Sequence, residues 1–276
     1  VYLFERMFLL HGESKYIDCL ERTLYNGVIS GMSMDGGRFF YPNPLSSDGK
    51  YAFNADNTKT RQPWFGCACC PSNLCRFIPS VPGYLYGVRD NNIYVNLFAG
   101  STSTIKVGGK DVELEQTTEY PWNGDIKIVV KKNAAKGANL LVRIPGWARG
   151  SVVPSDLYSY SDGKATGYTV TLNGKTLTAD LDANGGYLPV KGIRKGDVVR
   201  IHFDMPVRTV VANRNVADDK GKVAVERGPL VYCAEAVDNG GEPVLRTVMN
   251  KKPAFTLVDG YTINNTEAKD APSFRV

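Results

Sequence analysis

The pattern of apolar and polar positions changes period once, near residue 84 of this 276-residue chain. Before that point the spacing is helical. Residues 1–10 carry helix-type apolar side chains that stop at His11-Gly12, and Ser14 stands where it would cap a second helix over about residues 15–30. Within that helix Ile17, Leu20, Leu24 and Val28 form one apolar stripe. Glu21 sits inside the stripe, with positions 17, 24 and 28 at i−4, i+3 and i+7 from it. A carboxylate turned toward a core has to be paired, hydrogen-bonded or functional. A salt bridge to an arginine of a neighbouring helix is the structural reading.

Gly31 closes the helix, and Met34-Asp35-Gly36-Gly37 reads as a tight turn. Arg38-Phe39-Phe40-Tyr41-Pro42-Asn43-Pro44 follows, and its prolines forbid a helix, so the aromatic residues lie on an extended segment. Tyr41 is either core or the lining of a pocket, with its hydroxyl as the polar handle. Residues 46–62 are polar and loop-like, and Gln62-Pro63-Trp64-Phe65 delivers the chain to a cluster of cysteines and a short helix. Pro79 and Pro82 limit that helix.

From Tyr84 the period becomes two. Tyr84–Val88 and Ile93–Phe98 make a hairpin across Asp90-Asn91-Asn92. Further strands are expected at about 103–107, 110–117, 125–132, 139–144, 168–172, 186–190 and 197–203, with turn pairs such as Gly108-Gly109 and Asn173-Gly174 between them. A second set follows Met205-Pro206, at about 207–212, 222–226, 229–235, 244–248 and 254–258, with Arg227-Gly228-Pro229 as a break. Short strands at this spacing predict a β-sandwich, followed by a second, incomplete sandwich or by extra strands of the first.

Composition narrows the partners. Hydrophobic residues make up 43% of the chain, enough for real cores at this length. The net charge of +5 is dispersed, with no basic run longer than pairs such as Lys131-Lys132, which argues against nucleic acid and an anionic membrane surface. No segment reaches the roughly twenty apolar residues of a membrane span. The chain opens at Val1 inside an apolar helical pattern with neither start methionine nor signal peptide, so it is expected to be the C-terminal part of something longer.

Four of the six cysteines, Cys67, Cys69, Cys70 and Cys75, fall within nine residues. Pro71 fits the first position of a helix, which would put Cys69 and Cys70 at its N-terminus, where free N–H groups and the helix dipole favour thiolate over thiol. A complete four-ligand zinc site is not spelled out, because Cys19, Cys233, His11 and His202 are scattered. Disulfides between Cys67 and Cys70, or Cys70 and Cys75, stay open, as does a set of reactive thiolates that borrows metal ligands from elsewhere. A redox pair in a C-x-x-C arrangement, Cys67 with Cys70, lacks the βαβ context such use requires.

Five motifs in order resemble one family. Glu21-Arg22-Thr23-Leu24-Tyr25-Asn26-Gly27, Gly31-Met32-Ser33-Met34-Asp35-Gly36, Arg38 to Leu45, Cys67-Ala68-Cys69-Cys70-Pro71-Ser72-Asn73 and Arg227-Gly228-Pro229-Leu230-Val231-Tyr232 together resemble the retaining β-L-arabinofuranosidases of glycoside hydrolase family 127. The resemblance runs from about residue 1 to 240. It implies an α + β multidomain chain in which the end of an (α/α)6 barrel precedes jelly-roll-like β-sandwich domains. The expected divisions are 1–88 for the barrel, 89–205 for the sandwich and 206–276 for a second, incomplete sandwich region.

The resemblance also implies a zinc-bound cysteine thiolate as nucleophile in place of the usual carboxylate, with a thioglycosyl intermediate. Zinc would deprotonate a coordinated thiol outright. Cys69 corresponds to the nucleophile and a zinc ligand, Cys70 to a second zinc ligand, and Cys67 to a supporting position. Glu21 and Tyr41 correspond to positions that bind sugar hydroxyls. Asp35, Arg38 and Asn43 belong to the same motifs as turn and framework. The general acid/base glutamate, the other two zinc ligands (a Glu-x-Cys pair) and the substrate-binding histidines are expected upstream of Val1. A retaining glycosidase needs an acid as well as a nucleophile, so the segment alone should not turn over substrate. The expected partner is an oligosaccharide or glycan, in a bacterial cytoplasm or periplasm, with a homo-oligomer left open. The alternative is a non-catalytic carbohydrate-binding or scaffold β-sandwich protein, with Trp122, Trp147 and tyrosines stacking on sugar rings.

Overall fold

The structure is a computed structural model that describes residues 1–241, 244–250, 253–258, 261–263, 266–268 and 273–275. It is an α + β arrangement, rich in sheet and with few helices. The chain groups into two compact units, residues 1–24 with 80–231, and residues 25–79 with 232–276.

In the first unit, α1 (Tyr2–His11) ends where Gly12 takes φ 71° and gives its N–H to the carbonyl of Phe8. Phe8 is buried, edge-on to Tyr94 at 5.4 Å. Helix α2 (Ser14–Thr23) buries Ile17, Leu20 and Glu21, as the stripe predicts. Two expectations about this helix need correction. Its N-cap is Glu13, and Ser14 is the first helical residue, its buried hydroxyl accepting a bond from Arg149 Nη2 at 3.0 Å. The α-helix also stops at Thr23, short of residue 30, giving way to a π turn over Leu24–Val28 and a 3-10 turn over Ile29–Gly31. The Thr23 hydroxyl bonds back to the Cys19 carbonyl at 2.7 Å, and Asn26-Gly27 are poor helix formers, so the regular ladder gives out there.

The strands of this unit are β1 (Tyr86–Arg89), β2 (Asn92–Val95), β3 (Ser101–Val107), β4 (Lys110–Thr118), β5 (Asp125–Asn133), β6 (Asn139–Arg143), β7 (Tyr158–Tyr160), β8 (Tyr168–Leu172), β9 (Lys175–Leu177), β10 (Tyr187–Val190), β11 (Val198–Phe203), β12 (Val207–Ala212), β13 (Val223–Arg227) and β14 (Leu230–Tyr232), the last ending at the unit boundary. Three sheets follow the orders β1-β2-β6-β10, β3-β4-β5-β11-β8-β9 and β14-β13-β12-β7. All pairs with a described register are antiparallel except β2 with β6. In the six-stranded sheet alternate residues are buried: Val112, Leu114, Ile126, Ile128, Val130, Val199 and Ile201 are at most 3% exposed. Each such side chain contributes about 1.5–3 kcal/mol. Gly108-Gly109 turns β3 into β4 with φ of 54° and 77°, which glycine adopts at no steric cost.

Most period-two strands appear within one or two residues of expectation. Among the exceptions, the strand expected at 93–98 ends at Val95. Residues 158–160 and 175–177 form strands only three residues long, too short for an alternation to register. The strand expected at 244–248 is instead a 3-10 turn at Val244–Arg246. The one at 254–258 shortens to β15 (Thr256–Val258), and the one at 229–235 to β14.

In the second unit, Phe39 bridges both Met32 and Gln62 in short antiparallel contacts. Arg61 donates to the carbonyls of Ser30 and Gly31 and lies over the Phe40 ring at 4.3 Å. Helix α3 (Cys69–Phe77) follows, and the stretch carrying Pro79 and Pro82 continues as a 3-10 turn rather than an α-helix. Further along, β15 pairs with β18 (Ser273–Arg275), and β16 (Tyr261–Ile263) with β17 (Thr266–Ala268).

Candidate active site

Three of the expected site residues, with Cys67, come together in the second unit. Helix α3 starts at Cys69, so Cys69 and Cys70 occupy its first two positions, among N–H groups that have no partner inside the helix. Pro71 is therefore the third helical residue rather than the first; its missing N–H is still among those a helix start leaves free, so the helix tolerates it. Ser72 tightens the turn, its hydroxyl donating to the Cys69 carbonyl at 3.2 Å. All six cysteines are free thiols, so neither disulfide considered above forms.

The Tyr41 hydroxyl lies 2.9 Å from Cys69 Sγ and 3.9 Å from Cys67 Sγ, and Cys69 Sγ lies 3.8 Å from Cys70 Sγ. Cys69 is exposed and Cys70 half-buried. The hydrogen bond from Tyr41, with help from Cys70 and Cys67, lowers the pKa of the Cys69 thiol. Burial and the neighbouring Cys69 raise that of Cys70. The same bonds to Cys69 and Cys67 hold the Tyr41 hydroxyl far above its ordinary range, so it stays protonated. The arrangement is asymmetric, with one thiolate-prone sulfur and two protonated groups able to donate to it.

Tyr41 is itself held at two points. Its backbone N–H donates to Asn54 Oδ1 at 2.7 Å, and its ring meets Phe65 edge-on at 5.5 Å. Phe65 is 2% exposed and Asn54 5%. Asn54 Nδ2 donates to the Thr60 carbonyl at 2.9 Å, so both ends of its amide are engaged. Sequence reasoning missed Asn54, because an asparagine in a polar loop reads as a turn residue. Asp35 and Asn43 act as framework: Asp35 Oδ1 accepts from Gly37 N at 2.9 Å, and Asn43 Nδ2 donates to Ser30 Oγ at 2.8 Å.

Two of these sulfurs fit a zinc ion. Thiolates about 2.3 Å from a tetrahedral zinc stand about 3.8 Å apart, which is the Cys69–Cys70 separation of 3.8 Å. Among the described residues no group of three or more His, Cys, Asp or Glu side chains could hold a metal. Among the described residues, then, Cys69 and Cys70 are a pair of donors and not a closed site.

Glu21 belongs to the first unit and has other company. It is 2% exposed, and its Oε1 accepts from Arg143 Nη2 at 2.5 Å and from the Tyr120 hydroxyl at 2.9 Å. The paired arginine thus comes from strand β6, not from the neighbouring helix expected. Arg143 is wholly buried and also donates to Asp18 Oδ1 at 2.7 Å and to the Asn96 carbonyl at 2.6 Å. Burial opposes its charge, but Glu21 and Asp18 more than offset this. Glu21 also lines a cavity of about 180 Å³ with Asp18, Arg22, Trp147 and Arg149. Trp147 is 7% exposed, a core residue rather than a stacking platform, whereas Trp122 is 39% exposed. Arg143 and Tyr120 gave no signal in the sequence, lying 122 and 99 residues from Glu21.

Comparison with known proteins gives the class. The models of a β-L-arabinofuranosidase GH127 catalytic domain, a GH127 middle domain and a glycoside hydrolase family 127 C-terminal domain match residues 1–83, 92–205 and 207–271, in that order. The chain belongs to glycoside hydrolase family 127. It is 38% identical over 248 residues to a non-reducing end β-L-arabinofuranosidase of Bifidobacterium longum subsp. longum, a match spanning 86% of this chain and 34% of that protein. A solved GH127 β-arabinofuranosidase superposes with a TM-score of 0.83 at 52% identity, covering 94% of this chain and 39% of its own. A GH127 β-L-arabinofuranosidase from Geobacillus stearothermophilus T6 gives 0.78 at 37% identity, covering 92% and 38%. The chain thus spans between a third and two fifths of these relatives. Among the described residues no helix is long and apolar enough to cross a membrane.

Proposed function

We propose that this chain is the nucleophile-bearing part of a retaining glycosidase that cleaves β-L-arabinofuranosides or a related furanoside, with Cys69 as the nucleophile. One observation carries the reading: an exposed Cys69 sulfur at a helix N-terminus, 2.9 Å from a tyrosine hydroxyl and 3.8 Å from a second thiol. Family membership supports the substrate class, since the relatives named above are arabinofuranosidases. In the same reading residues 1–88 close an (α/α)6 barrel, and residues 89–205 and 206–276 are sandwich regions.

Cys69 and Cys70 would hold a zinc ion together with ligands from sequence outside these 276 residues. When bound, that ion keeps the coordinated thiol deprotonated at neutral pH. The Cys69 sulfur attacks the anomeric carbon, so an S–C bond forms as the bond to the leaving oxygen breaks. The leaving oxygen takes its proton from a general acid, also outside this chain, and water then cleaves the S–C bond. Tyr41 would orient the sulfur through its hydroxyl, 2.9 Å away. Cys67, at the edge of the Tyr41 hydroxyl, supports that contact. Glu21 would bind a sugar hydroxyl, held in place by Arg143 and Tyr120.

The test uses the complete enzyme that contains this chain, assayed on p-nitrophenyl β-L-arabinofuranoside with bound zinc measured. Stoichiometric zinc and activity in the wild type, with activity abolished by Cys69→Ser, is the expected result. Retained activity in Cys69→Ser would overturn the nucleophile assignment.

A further inference from the structure

We propose that Asn54 is a positioning residue that sets the Tyr41 hydroxyl against the Cys69 sulfur by holding the Tyr41 backbone; the inference rests on the reading of Cys69 as nucleophile.

Residues 46–62 are polar, yet Asn54 alone among them is buried, at 5% exposure. A buried primary amide is stabilising only when its carbonyl and its amino group find partners. Asn54 uses both on backbone: Oδ1 takes the Tyr41 N–H at 2.7 Å and Nδ2 gives to the Thr60 carbonyl at 2.9 Å. Its own N–H donates to the Thr58 carbonyl at 3.0 Å, and a short antiparallel bridge joins the two residues. The amide therefore ties the Tyr41 segment to the 54–60 turn. Tyr41 lies outside any strand, between Phe40 and Pro42, so no ladder fixes its backbone. Phe65 meets the ring edge-on at 5.5 Å, an apolar contact that leaves the backbone to Asn54. Asn54 and Phe65 together determine where the hydroxyl falls. That matters at 2.9 Å from Cys69, because a displacement of about 1 Å removes a hydrogen bond of this length and can cost as much as about a hundredfold in rate.

A double-mutant cycle in the complete enzyme tests this. Asn54→Ala and Tyr41→Phe are each expected to lower kcat/KM about tenfold, and the double variant to be no worse than Tyr41→Phe alone, because both remove one contact. Multiplied losses, about a hundredfold in the double variant, would mean that Asn54 acts through general stability and would overturn the proposal. A second readout does not use turnover. In metal-free protein, iodoacetamide labelling mapped by mass spectrometry should change at Cys69 by the same factor in Asn54→Ala and Tyr41→Phe, while Cys75 labels at an unchanged rate. An equal change at Cys75 would overturn it. If the alanine variant does not fold, Asn54→Ser runs the same cycle, since its shorter side chain withdraws from the Tyr41 N–H yet keeps a hydroxyl in the buried site. Activity surviving in Cys69→Ser would instead sink the nucleophile reading, an outcome that the Asn54 cycle does not share.

Discussion

Two centres of this chain, around Glu21 and around Cys69, are built on opposite plans. Around Glu21 the groups are paired and mostly buried: a glutamate carboxylate at 2% exposure, a guanidinium at 0%, a tyrosine hydroxyl and the half-buried Asp18 carboxylate. Around Cys69 the sulfur is exposed, and its neighbours are neutral donors rather than opposite charges. A buried pair costs desolvation and stabilises only as a pair, so removing one partner is expensive. An exposed sulfur held by one hydroxyl contributes little to folding and stays free to react. The groups of the first centre are engaged with one another, and the second leaves its sulfur accessible.

The sharpest way to break that contrast is Arg143→Ala. It would leave the buried Glu21 without its cation, while Asp18 keeps Arg149, and is expected to cost about 3–5 kcal/mol of folding stability. Urea denaturation checks it; a loss below about 1 kcal/mol would mean the pair is not the structural element argued here. Next is Tyr120→Phe, which removes one donor from Glu21 Oε1 while Arg143 still holds that oxygen. The expected cost is about 1 kcal/mol. In metal-free protein Cys69→Ser should sit at the other end of the scale, within about 0.5 kcal/mol of wild type, as exposed positions generally do. A large loss there would show that the cysteine centre is structural and erase the distinction.

The same contrast explains what could be read from the sequence. Period-two alternation marked most strands because each sheet buries one face, as the pattern of β4 and β5 shows. The cysteine motif was legible because its four thiols are close in sequence. Glu21 stood out as a carboxylate inside an apolar stripe, but its partners could not, since Arg143 belongs to a strand 122 residues away and looks there like any inward or outward strand residue. Asn54 was invisible for a different reason: its signal is burial, and nothing local distinguishes a buried loop asparagine from an exposed one. The apolar stripe continues past the end of α2, where propensity at Asn26-Gly27 outweighs it.

The smallest expected effect lies at the surface, where a third arrangement completes the comparison. His202 on β11 is half-exposed and sits between two carboxylates, with Nδ1 2.7 Å from Asp125 Oδ1 and Nε2 3.3 Å from Asp204 Oδ1. The Asp125 hydrogen bond raises its pKa, against some desolvation, with Asp204 adding to the rise. A histidine whose folded pKa exceeds its unfolded value contributes stability that is fully present below the unfolded pKa of about 6.5 and is lost as pH rises through the folded one. Exposure and screening keep the gain under about 0.5 kcal/mol. His202→Gln should therefore narrow the gap between stabilities measured at pH 5 and pH 8 by no more than that, and 1 M salt should remove most of the difference. A larger shift would place this exposed pair with the buried one at Arg143, and exposure would no longer be what separates the two plans.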